Sequence, residues 1–124
     1  MSRNTNAPKW VEDLVIERDK SCCARCGVRN SGVRGEFGWA IHHRQARGMG
    51  GSKSDPCVNL PANLIVVCFT CHDWIENHRT LSYAEGWLVS RLRLPRPNEV
   101  PIHHFIHGRV VLDNFGGFSA LVQG

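Results

Sequence analysis

Apolar residues recur at helical spacing over residues 9–20, where Trp10, Val11, Leu14 and Val15 share one face, so the pattern predicts an amphipathic helix. The period then changes. Phe37, Trp39 and Ile41 alternate with Gly38, Ala40 and His42 over residues 36–43, which predicts a half-buried strand ending on His42-His43. Over residues 63–68, Asn63 is followed by the unbroken apolar run Leu64-Ile65-Val66-Val67, which predicts a second strand. It leads into residues 71–79, where Trp74, Ile75 and His78 have helical spacing. The connection between the strands, residues 44–62, exceeds the roughly 12 to 15 residues usual for a structureless loop and is read as functional. Beyond residue 80 the pattern weakens. It gives a short helix at 82–85 stopped by Gly86, an extended stretch at 87–94 and a proline-bearing connector at 95–101. Residues 102–113 read as a strand pair turning at Gly108, followed by a glycine-containing end expected to fray.

The longest apolar run, residues 64–69, is far shorter than the ~20 residues a membrane span needs, and residues 1–9 carry no apolar secretory core. The expected location is cytoplasmic, with no membrane partner. With 124 residues, 42% hydrophobic and 21% charged, the composition fits one small globular domain and argues against a disordered chain or a coiled coil. The expected division is a flexible stretch at 1–8, a main domain at 9–94 and an extension at 95–124 that packs on or trails from it. A net charge of +4, from 15 Lys+Arg against 11 Asp+Glu, permits a polyanionic partner without requiring one.

Six cysteines and seven histidines are a heavy load for such a chain, and in a reducing compartment cysteine pairs point to metal or redox chemistry. Cys23-x2-Cys26 and Cys68-x2-Cys71 form two knuckles, each able to place two thiolates on one edge of a tetrahedral zinc site. A redox dithiol would need one pair in a βαβ context, which the pattern lacks. Cys22 gives a longer spacing to Cys26 and is left out, and Cys57 reads as a small buried apolar residue. Four thiolates close a zinc site, so any catalysis must use histidines. His72 directly follows Cys71, so one helical turn can serve two metal sites, with Glu76 on the His72 face. Adjacent strand residues face opposite ways: one of His42 and His43 can share a cation with His72 while the other acts on a water.

These residues in this order, Cys23-x2-Cys26, Trp39-Ala40-Ile41-His42-His43-Arg44, Arg47-Gly48-Met49-Gly50-Gly51-Ser52, Asn63-Leu64 and Cys68-x2-Cys71-His72, resemble the HNH endonucleases. The likeness covers about residues 20–113, including Gly86-Trp87-Leu88-Val89, and is greatest to the small HNH proteins of tailed phages and prophages. It implies an α+β fold with a ββα-metal (His-Me finger) core, the four-cysteine zinc site, the N-terminal helix and a short C-terminal β extension. It also implies a metal-dependent DNA endonuclease or nickase, acting in phage DNA processing or packaging and leaving 5′-phosphate and 3′-hydroxyl ends. His43 becomes the general base and His42 and His72 ligands of one divalent cation, Mg²⁺, Mn²⁺, Ni²⁺ or Zn²⁺. Asn63 orients His43 or touches that cation, and Glu76 occupies the position of a third ligand. Phage terminase or portal proteins become candidate partners.

Arg44, Arg47 and Lys53 flank this site on the long loop and are expected to contact DNA phosphates, with Arg79 among the residues that extend the track. The rival reading is a non-catalytic, zinc-stabilised DNA-binding or terminase-accessory module. His103, His104 and His107 read as surface or hydrogen-bonded residues rather than ligands, and Trp10, Trp39, Trp74 and Trp87 as core.

Overall fold

A computed structural model describes residues 7–30, 34, 38–46, 56–90 and 96–121. The fold is mixed α+β. Helix α1 spans Lys9–Arg18, strand β1 Ala40–His43 and strand β2 Leu64–Val67, followed by helices α2, Phe69–Asn77, and α3, Arg79–Glu85. Strands β3 (Ile102–His104), β4 (Gly108–Leu112) and β5 (Phe118–Ala120) form a separate sheet.

β1 and β2 pair antiparallel, with His42 opposite Ile65 and His43 opposite Leu64. All four residues of β2 are buried because both of its faces are covered, which is why its sequence is apolar without alternation. Leu64 and Val66 pack with Ile41 and with Val11 and Val15 of α1. Ile65 and Val67 turn the other way, into a larger core with Cys23, Cys71, Ile75, Trp87, Ile102, Val110 and Leu112. Residues of the 95–124 segment thus share the main core.

A buried polar cluster joins the layers. Arg18 donates to both Asp19 carboxylate oxygens and to the carbonyls of Pro61 and Leu64, while Asp19 accepts from the Val66 amide. His104, fully buried, approaches Asp19 Oδ1 at 2.8 Å through Nε2, so that nitrogen carries the proton. His107 Nε2 reaches the Arg18 carbonyl, and the expectation of hydrogen-bonded histidines here is met. Burial alone raises the Asp19 carboxyl; the Arg18 charge and the His104 and Arg18 hydrogen bonds outweigh it and hold it below 3.8. A depressed folded-state pKa stabilises the fold fully above the unfolded value, and that contribution is lost as the pH falls below it. The urea midpoint of the wild type is therefore expected to fall below about pH 4 more steeply than that of Asp19→Asn, which starts lower. Parallel curves would refute this role.

Several expectations are corrected. Gly108 opens β4 and the turn precedes it, because β3 stops at His104. The C-terminal end does not fray through residue 120: Phe118–Ala120 pairs with β4 from Val110 to Leu112. Trp10 is 60% exposed, on the outer side of α1, and Cys57 is exposed rather than buried. The expected helix at 71–79 starts two residues earlier, at Phe69, because Cys68 caps it with its sulfur. The helix expected at 82–85 begins at Arg79 and ends, as expected, on left-handed Gly86. A Cβ on Gly86 would collide with the Pro101 carbonyl and Ile102 Cα, so glycine also permits the crossing of two backbones.

Candidate functional site

Cys23, Cys26, Cys68 and Cys71 bring their sulfurs within 4.8 Å of one another. Cys26 and Cys68 sulfurs stand 3.8 Å apart. A tetrahedron with metal–sulfur bonds near 2.3 Å has edges of about 3.8 Å, so the donor set fits a metal ion such as zinc. In both knuckles an amide points at the first sulfur: Cys26 N–H to Cys23 Sγ and Cys71 N–H to Cys68 Sγ. The Cys71 thiol hydrogen-bonds the Cys23 sulfur, pulling Cys23 down to about 4; the same bond, with burial, pushes Cys71 up. Arg25 lies 3.7 Å above the Trp74 ring and donates from Nη1 to Cys71 Sγ, setting a cation beside the thiolates.

His42 is buried at the end of β1. Its Nε2 stands 2.9 Å from the Trp87 carbonyl, which can only accept, so Nε2 carries the proton and Nδ1 the lone pair. Burial, and secondarily the nearby His72, push its pKa down to about 3, which keeps the ring neutral and able to ligate. The His42 and His72 rings meet edge to face with centroids 5.3 Å apart, joining β1 to the first turn of α2. This is the pair expected to share a cation.

His43, the next residue, lines a cleft of about 310 Å³ with Glu76, Arg79, Tyr83, Leu88 and Val89. Its Nε2 stands 3.0 Å from Asn59 Oδ1, an acceptor, so the proton is on Nε2 and Nδ1 is the basic nitrogen.

The structure reassigns three residues. Asn63 neither orients His43 nor points to a cation site: its Oδ1 accepts from Gln45 N–H, and its Nδ2 donates to the Gln45 and Val58 carbonyls. It is a clamp across the loop ends, buried because it replaces missing backbone partners. Asn59, the other asparagine before a leucine, is the one that reaches His43. Glu76 pairs with Arg79 at 2.8 Å, and the four cysteines are the only group of three or more potential metal ligands among the described residues. His42, His72 and Glu76 do not form one.

Arg44 is no DNA contact. It is fully buried, donating from Nε to the Gly86 carbonyl and through Nη1 and Nη2 to the carbonyls of Ala62, Pro97 and Val100. Burial lowers its pKa to about 9, which leaves it charged at neutral pH. Arg44→Met leaves four carbonyls without this donor and is expected to cost about 3 to 5 kcal/mol in urea denaturation. A loss below about 1 kcal/mol would contradict that role. Arg47 and Lys53, the remaining loop cations, lie outside the described residues.

No protein-family model, curated protein or solved structure matches this chain.

Proposed function

We propose that the chain is a metal-dependent DNA endonuclease or nickase of the HNH type, with β1, β2 and α2 as a ββα-metal core. The observation that carries the reading is the arrangement at the end of β1. Neighbouring histidines there take opposite roles, His42 neutral and facing His72, His43 facing the cleft with its tautomer set by Asn59. His43 Nδ1 takes a proton from a water, and general-base help of this kind contributes typically about 10² to 10⁴ in rate. Asn59 keeps the ring aimed. His42 and His72 would hold one divalent cation, with Trp87 fixing the His42 ring through its carbonyl. When bound, that cation supplies Lewis-acid stabilisation of the charge that develops on the scissile phosphate. Zinc in the four cysteines is structural, since a closed thiolate site offers no open position.

Supercoiled plasmid incubated with the protein and Mg²⁺, Mn²⁺, Ni²⁺ or Zn²⁺ is expected to convert to nicked circle or linear DNA, and EDTA is expected to stop the reaction. No conversion with any cation would overturn the enzyme and favour a zinc-stabilised DNA-binding or terminase-accessory module. The sequence resemblance makes phage DNA processing or packaging the proposed setting, with terminase or portal proteins as proposed partners.

A further inference from the structure

We infer that Arg79 grips a phosphate of the DNA backbone in the cleft and that Glu76 and Tyr83 aim it, an assignment that rests on the DNA-binding part of the proposed function. Two arginines line the cleft with His43. Arg44 is committed to backbone carbonyls and faces the protein interior. Arg79 is therefore the cation among the described lining residues that can meet an anion. Its side chain is 52% exposed, Nη1 donates to Glu76 Oε2 at 2.8 Å, and Nη2 donates to the Tyr83 hydroxyl at 3.1 Å. A guanidinium has five N–H donors, so three remain for a ligand after these two bonds, in the planar fork that matches phosphate oxygens.

The two partners hold that fork at the cleft wall through solvent-exposed contacts, which are weak enough to leave the guanidinium open to a phosphate. Glu76 gains a role from the same geometry. A bare carboxylate in a cleft that admits DNA would repel the phosphodiester; paired with Arg79 it is neutralised and serves as a positioning residue. Tyr83 lies with its ring 5.6 Å from the guanidinium carbon, so it limits the swing of the same side chain.

The test is fluorescence anisotropy of the full-length, zinc-loaded protein with labelled 20-base-pair duplexes of two unrelated sequences, in buffer without added divalent cation, over a salt series. Arg79→Ala and Arg79→Gln are each expected to weaken binding about tenfold on both sequences and to lower the slope of log K against log salt by about 1. Arg79→Lys is expected to restore the slope, since the charge returns, while cleavage stays low because the fork does not. Glu76→Gln is expected to leave Mn²⁺ affinity, read by electron paramagnetic resonance, unchanged while raising KM more than it lowers kcat. An unchanged slope in both neutral variants would overturn the assignment, and so would loss of Mn²⁺ binding in Glu76→Gln. A wild type that binds DNA through Arg79 but never cleaves would overturn the nuclease reading and leave this one standing.

Discussion

Stripping the metal from the four cysteines, or replacing Cys71 with serine, is expected to unfold the protein rather than loosen it. Cys23 and Cys71 belong to the main core together with Ile65, Ile75 and Trp87, and the cysteine knuckles tie the segment after α1 to the start of α2. Structural zinc contributes apparent binding free energies of about 10 to 16 kcal/mol, as large as the whole stability of a small domain at about 5 to 15 kcal/mol. Without the ion, four sulfurs crowd within 4.8 Å of one another and no covalent bond joins the two knuckles. Elemental analysis is expected to give one zinc per chain, and circular dichroism to lose its cooperative melt when a chelator removes it. Metal loss with an unchanged melting temperature would sink the structural role.

Replacing His43 with alanine is expected to lower the cleavage rate by about 10² to 10⁴ while zinc content and melting temperature stay at wild-type values. His43 lines the cleft at the end of β1 and is the one partly exposed residue of that strand, so its loss removes a proton acceptor without emptying a fully buried position. Asn59→Ala serves as the graded companion: it removes the acceptor at His43 Nε2 and is expected to cost about tenfold, consistent with the loss of one orienting hydrogen bond. His42→Ala differs in kind, because it empties a buried position bonded to the Trp87 carbonyl and removes a proposed ligand, so cation affinity is expected to fall along with rate. Wild-type nicking by His43→Ala would remove it from the base position.

The regular elements near the site were legible because each leaves a local trace. The apolar run 64–67 reports a strand covered on both faces, and the C-x2-C spacing reports a knuckle whose geometry three residues dictate. The left-handed stop at Gly86 is likewise local. Polar residues were harder to read, since their roles depend on partners far along the chain. Arg44 sits beside a histidine pair in a glycine-bearing stretch, the setting of a phosphate contact, yet it binds carbonyls as distant as Val100. Asn59 and Asn63 have the same local context, and only the path of the loop decides which reaches His43 and which clamps Gln45. The pairing of β5 with β4 was hidden for the same reason, as was the exposure of Trp10.

By itself, then, the sequence determined the α+β elements around the site, the four sulfurs and the adjacent histidines, because backbone period and ligand spacing act over a few residues. Tertiary structure alone decided which charged and amide side chains are buried. Burial turned Arg44 into a backbone donor and Asn63 into a clamp, and it left His42 neutral beside His72, because a polar group removed from water must take whatever partner the fold brings to it.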